Sequence, residues 1–319
     1  MDDRPVLIVD GLNLFMRHFV ANPSMSELGH HIGGFVGFLK AIQHLCDRTS
    51  PSRVIVSWEG GGSPRRRAIY KNYKQNRRPQ RLNRYYLNEI PDTVQNRDNQ
   101  IVKLIEALNH VPVTQIYVSD CEADDVIAYL VKYTCKDKRC VIVSSDKDLY
   151  QLLSKRSIQW SPGQKKYITP KTLVEKFGIS STNFCTARCF VGDKSDGIDG
   201  VPHAGFRSLS KRFLKLAGDK FVSVGDIVKS AVNQSQDKNL KLYESIIDNA
   251  AIARRNWKLM FLDTVNLSAD QIEKINFSVE NSEPSRDKIS LMKMLRREGV
   301  QNFNLDAFYT SVTACRWNK

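Results

Sequence analysis

The stretch "VPVTQIYVSDCEADDVIAYLV", residues 111–131, passes from a β-branched run through three carboxylates into a second apolar run. Val111 to Val118 has the make-up of a buried parallel strand, and the segment from Ala123 carries an apolar stripe at helical spacing. Glu122, Asp124 and Asp125 sit at the joint. Two such charges about 4 Å apart repel by ~4 kcal/mol at an effective dielectric near 20. Helix entry is the ordinary explanation: Ser119 or Asp120 caps the helix, and acids in the first turn meet the positive end of its dipole. Whether that suffices depends on what the other strands carry at the same end.

The strand–acid–helix pattern recurs. "PVLIVD" (5–10), "RVIVSW" (53–58) and "RCVIVSS" (139–145) are further short β-branched runs. "GHHIGGFVGFLKAIQHLC" and "DTVQNRDNQIVKLIEALNH" lie between them as amphipathic helices. Repeated βα units predict an α/β fold with a doubly wound, mainly parallel sheet, whose ligands gather at the carboxyl ends of the strands. Those ends carry Asp10, then Glu59, then Glu122, Asp124 and Asp125, then Asp146 and Asp148. The strand signal fades near residue 180, where "GDKSDGIDG" adds Asp193 and Asp196 to the start of a helical module over 181–275. A polar stretch at 276–288 reads as a linker to a terminal helix at 288–298.

One acid at a strand end is unremarkable, because Asp is a good cap and turn former. Nine carboxylates around one cleft need compensation. Hard divalent cations supply it, and Mg²⁺ keeps several waters through which further acids can bind. Two such ions form the site used to cleave phosphodiesters. The lack of nearby His or Cys argues against a zinc site. The seven cysteines show neither a disulfide framework nor zinc spacing, so reduced, mostly buried thiols are expected.

The formal net charge of +14 points to a polyanionic partner. Nucleic acid leads and an anionic membrane surface is the rival. No apolar run suggests a spanning helix and the N-terminus is not a secretory signal, so a soluble, cytoplasmic protein without membrane contact is expected. Charge concentrates in "PRRRAIYKNYKQNRRPQRLNR" (64–84), which has nine Lys or Arg and no acid. A solvated basic helix is the common fate of such runs. Placed after Glu59, however, it can grip phosphates through Lys71, Lys74, Arg77 and Arg78, with Tyr70 and Tyr73 stacking on bases. "GVPHAGFRSLSKRF" (200–213) offers a Gly/Pro hairpin, Gly200 to Gly205, before a helix bearing Arg207, Lys211 and Arg212.

Together "VLIVDGLN", "IYKNYKQNRRP", "EADDVIAYL", "SSDKDLYQLL" and "FVGDKSDGIDGVPHAG" resemble the 5′ nuclease (flap endonuclease) family over roughly residues 5 to 260. Bacteriophage 5′–3′ exonucleases/RNase H and the 5′ nuclease domain of bacterial DNA polymerase I are the nearest in pattern. The resemblance implies a PIN-like nuclease domain over 1–180 with a basic helical arch at about 60–90, followed by a helix–three-turn–helix module. It implies two-metal (Mg²⁺ or Mn²⁺) hydrolysis of branched or 5′-flap DNA, or of an RNA–DNA primer duplex, by a monomer acting in replication or repair. A phage origin would place that work in the host cytoplasm. By the same resemblance Asp10, Glu59, Glu122 and Asp124 hold one ion and Asp146, Asp148 and Asp196 the other. Asp125 and Asp193 support them directly or through water. Lys74, Arg77 and Arg66 act as arch cations on the scissile phosphate, and the hairpin grips duplex, with K⁺ as a further ion.

Three positions depart from the family pattern. Glu59 stands where Asp is usual, Asp199 where bacterial relatives often have Pro, and His203 where the hairpin often has Gly. Residues 265–319 match no family motif; they dock replication proteins or simply pack. A non-catalytic DNA-junction binder on the same fold is the alternative, and it would be expected to have lost part of the carboxylate set.

Overall fold

The computed structural model describes residues 4–75, 93–238, 240–283 and 285–315. The nuclease-like half begins with β1 (Val6–Asp10), α1 (Gly11–Ala21), α2 (Gly33–Thr49), β2 (Arg53–Trp58) and a short α3 (Pro64–Ile69). It continues with α4 (Thr93–Leu108), β3 (Val113–Tyr117), α5 (Ala123–Tyr129) and β4 (Cys140–Val143). Two strands absent from the sequence reading, β5 (Ser157–Ser161) and β6 (Lys166–Ile168), complete one sheet in the order β3-β2-β1-β4-β5-β6. All neighbours are parallel except β5 and β6. The chain winds outward from β1 first through β2 and β3, then through β4 and β5. The switch point therefore lies between β1 and β4, where an open α/β sheet forms its crevice.

Period-two alternation builds the two faces. Leu7, Val9, Val54, Val56, Val141 and Val143 turn to the side covered by α1, α2 and α4. Val6, Ile8, Ile55 and Ile142 turn to the opposite side, against Val126, Ile127 and Leu130 of the α5 segment. Strands buried on both faces explain why their sequences read as continuous apolar runs.

From α6 (Pro170–Phe177) onward the chain is helical. The series runs α7 (Ser181–Val191), α8 (Phe206–Arg212), α9 (Val224–Asp237), α10 (Lys241–Asp248) and α11 (Ala250–Met260), around a separate core that includes Phe184, Phe190, Leu209 and Ile246. The C-terminal part is less of a linker than its polarity suggests. Residues 276–280 belong to α12 (Ala269–Glu280), whose Ile275 and Val279 enter the sheet core. Then α13 (Lys288–Arg297) and α14 (Leu305–Thr313) place Leu291, Leu295, Phe308 and Val312 in the core above α2. Packing, the plainer of the two expectations for this tail, accounts for its apolar face. Among the described residues no helix is long and apolar enough to cross a membrane.

Candidate active site

The carboxylates gather at the carboxyl ends of β1, β2, β3 and β4. Asp10 ends β1 and also caps α1: its Oδ1 accepts the Asn13 N–H at 3.1 Å and its Oδ2 the Ser144 hydroxyl at 3.0 Å. Burial, followed by the charges of Asp146 and Glu59, pushes its carboxyl up to about 7 despite those bonds. Glu59 follows β2 and accepts the Ala123 N–H at 3.3 Å. Gly60 makes that corner possible, since a Cβ there would stand 1.6 Å from the Val118 carbonyl oxygen.

Helix entry does not explain the acids of residues 119–131. The cap position of α5 is Glu122, with extended backbone, and its side chain makes no capping bond. Its Oε2 instead accepts from Arg66 at 3.0 Å, from the Tyr73 hydroxyl at 2.9 Å and from Lys74 at 2.9 Å. Oε1 is buried and has no partner. Burial would raise this carboxyl, but Lys74 and Arg66 hold it below its ordinary range. Two residues on, Asp124 is pushed well above its ordinary range by burial and by the charges of Asp146 and Asp10.

The fourth strand end supplies Asp146 and Asp148 through a tight turn, in which Asp146 Oδ1 accepts the Asp148 N–H at 2.8 Å. Burial and Asp146 push Asp148 up to about 7, against the pull of Arg188, whose Nε lies 2.9 Å from Oδ1. Asp196, nearly buried, closes the cleft from the helical module, and its carbonyl accepts the Lys74 N–H at 2.9 Å. That bond holds Lys74 on left-handed backbone (φ 59°), with its ammonium directed at Glu122.

Several expected site residues stand elsewhere. Arg66 is not an arch cation. At 2% exposure it lies beneath the cleft, bound to both oxygens of Asp125 and to Glu122, with Nε donating to the Leu259 carbonyl at 2.8 Å. Asp125 is correspondingly occupied, since Asn266 Nδ2 adds a third bond at 3.0 Å; its carboxylate seats the helix rather than facing the cleft. Asp193 is held by Arg188 and by Ser195, whose hydroxyl donates at 2.6 Å. Tyr73, read as a stacking ring, is buried in the helical core with its hydroxyl spent on Glu122. Tyr70 is half-buried under the Arg255 guanidinium, 4.2 Å from its ring centre. Arg77 and Arg78 lie outside the described residues.

Lys71, Arg207, Lys211 and Arg212 are exposed. In the hairpin, a Cβ on Gly200 would meet the Val191 carbonyl oxygen at 2.2 Å, and His203 adopts φ 63° where glycine would be unstrained. Gly205 sits at the start of α8, where a Cβ would make only ordinary contact with the Ser208 Oγ at 3.9 Å. Arg188 and Ser144 were missed in the sequence; each is a polar residue in an otherwise buried run, packed where an acid needs a partner.

An oxygen-rich, nitrogen-poor set with one orphaned buried carboxylate oxygen fits hard divalent ions. Among the described residues no three His, Cys, Asp or Glu side chains form a ready-made ligand cluster. Carboxylates left to repel one another stand apart, and ions that keep part of their water shell can bridge the gap.

The model of the 5′–3′ exonuclease N-terminal resolvase-like domain matches residues 5–178. The chain belongs to the 5′–3′ exonuclease and flap endonuclease family. It is 30% identical over 278 residues to the flap endonuclease Xni of Shewanella halifaxensis, covering 84% of this chain and 98% of that protein. It is 27% identical to DNA polymerase I of Streptococcus pneumoniae over 88% of this chain, but spans only 31% of that protein's length. Among solved structures, the T5 5′-exonuclease with bound zinc superposes with a TM-score of 0.69 at 20% identity, over 88% of this chain and 100% of that one. The bacteriophage T5 flap endonuclease in a pseudo-enzyme–product complex with DNA and metal ions gives 0.65 at 19%, over 98% and 99%. These likenesses confirm the PIN-like α/β fold of the 5′ nucleases expected from the sequence.

Proposed function

We propose that this chain is a divalent-metal-dependent 5′ nuclease that cleaves 5′-flap or branched DNA, and RNA–DNA primer duplexes, in replication or repair. The observation that carries the reading is the gathering, at the switch point, of buried and part-buried acids whose repulsion the protein's own cations do not fully offset. Asp10, Asp124 and Asp148 all have raised carboxyls. Asp10, Glu59, Glu122 and Asp124 would hold one Mg²⁺ or Mn²⁺, and Asp146, Asp148 and Asp196 the other. Ions held there would supply Lewis-acid chemistry, polarising a phosphoryl oxygen and lowering the pKa of a water.

The chain's own groups do the rest. Ser144 and Asn13 fix the Asp10 carboxylate. Arg66 and Tyr73 fix Glu122 from below, leaving Oε1 directed elsewhere. Lys74, part-exposed beside Glu122, neutralises charge developing on the phosphate. Lys71 and the exposed cations of α8 follow the backbone of the flanking duplex without reading sequence.

The test is cleavage of a 5′-flap duplex with and without Mg²⁺. The wild-type chain cuts only with the ion, and Asp146→Ala binds the duplex but does not cut. Full cleavage by that variant, or activity unchanged by EDTA, would overturn the assignment and favour a junction binder or another chemistry.

A further inference from the structure

At the amino ends of the strands, away from the carboxylates, α5 does not stop at Tyr129. It continues as a π-turn, Leu130–Thr134, closed by the Cys135 N–H donating to the Leu130 carbonyl at 2.7 Å. Single π-turns cluster at functional sites. A tight turn follows, with the Lys138 N–H donating to the Cys135 carbonyl at 2.9 Å, and the chain enters β4 at Cys140. The turn brings two thiols face to face. Cys140 Sγ lies 4.0 Å from the Cys135 carbonyl oxygen and 3.9 Å from that of Lys138, which sets the two thiols beside one another. Both cysteines line an open cleft of about 250 Å³ whose walls carry Lys132, Lys136, Lys138 and Arg156.

All seven cysteines are free and buried, and two other pairs are close. Cys46 meets Cys315 inside the core over α2, and Cys185 meets Cys189 inside the helical core. Neither shares the cationic cleft. Cys140, Lys138 and Arg53 hold the Cys135 thiol below its ordinary range against burial, and Cys46, Arg4 and Arg286 do the same for Cys315; what sets Cys135 apart is the open cationic cleft beside it. A low thiol pKa in electropositive, reachable surroundings is what separates reactive from inert cysteines.

We propose that Cys135 and Cys140 form a redox-active dithiol, which a small anionic disulfide of the glutathione class converts to an intramolecular disulfide. The Cys135 thiolate attacks one sulfur of the small disulfide, forming a mixed disulfide and expelling the first thiolate. Cys140 then loses its proton and attacks Cys135 Sγ, expelling the second. Two protein thiols are oxidised, one small disulfide is reduced to two thiols, and no other reactant is needed. The cationic walls recruit the carboxylates of the reagent, and the cross-link ties the π-turn at the end of α5 to the first residue of β4.

The experiment treats the folded protein with oxidised glutathione, quenches by alkylation, and maps disulfides by non-reducing mass spectrometry. Cys135–Cys140 is expected to close about tenfold faster than Cys46–Cys315 or Cys185–Cys189. Cys140→Ser should stop at a glutathione adduct on Cys135. Because a cysteine variant could perturb the fold, Lys136→Glu/Lys138→Glu provides a surface control. It should slow the reaction with oxidised glutathione roughly tenfold, and that with uncharged hydroxyethyl disulfide less. Oxidation of either other pair first, or equal slowing with both reagents, overturns the proposal.

Discussion

The two halves of the carboxylate cleft handle the same problem in opposite ways. On the α5 side, Arg66, Lys74 and Tyr73 converge on Glu122 and keep its carboxyl below the ordinary range. Around the β1 and β4 ends and the first turn of α5, Asp10 is buried and Asp124 and Asp148 are part-buried with too little counter-charge, and desolvation drives all three up. The protein neutralises the first half and leaves only the Glu122 Oε1 for an ion; the second keeps its charge for ions to offset. A fold that neutralised both halves with arginine would be more stable without metal and could not bind one.

The comparison can be broken most severely on the unfinished side. Asp124→Asn removes an acid that has no protein cation as its main partner. Single-turnover flap cleavage in Mg²⁺ should fall by about three orders of magnitude or more, with binding of the flap duplex intact. Because the variant also relieves repulsion, its metal-free thermal midpoint should equal or exceed that of the wild type.

On the finished side the larger effect is on stability. Arg66→Met leaves Asp125 and Glu122 without their buried partner, and loss of one member of such a network costs about 3–5 kcal/mol. Chemical denaturation reads this directly. Lys74 is part-exposed, so Lys74→Ala should cost little stability but lower the cleavage rate by roughly 10²-fold or more, with duplex affinity less affected.

A smaller effect separates the halves by pH. Asp10 and Asp148 have folded values near 7, above their ordinary 3.8. Their contribution to stability is complete below about pH 4 and lost as pH rises through 7. Glu122 has the opposite sign: its contribution is present above its ordinary range and is lost as pH falls below it. In EDTA the denaturation free energy should therefore decline from pH 5 to pH 8, and saturating Mg²⁺ should remove the decline. The smallest test concerns the nucleic-acid surface. With about six phosphates neutralised, log K for a flap duplex should fall against log salt with a slope near −5, and a slope near zero would remove that surface.

Much of this was legible in the sequence. β1 to β4 follow their β-branched runs within a few residues, and the acids at their ends identify the crevice. β5 and β6 escaped because "SIQWS" and "KYI" are short and mixed; their pairing with β4 is what makes them strands. Within the basic run, the reading of Arg66 misled for a specific reason. Counting charge treats Arg65, Arg66 and Arg67 alike, but Ser63 caps α3 and Pro64 opens it. Helical spacing then puts Arg66 and Ile69 on one inward face. "SPRRRAI" held that signal. The partner on the other side, Asn266, is 141 residues away from Asp125 in sequence and could not have been paired with it without the fold.

The central claim, that the second half of the cleft is completed by a divalent ion, is tested most directly by calorimetric titration with Mg²⁺ at pH 7. Two buffers of different ionisation enthalpy would count protons. Carboxyls near 7 in the metal-free protein must give up their protons to bind, so release of roughly one proton or more per chain is predicted. The count should fall toward zero at pH 9. Binding without proton release at pH 7, or no binding at all, would contradict the account.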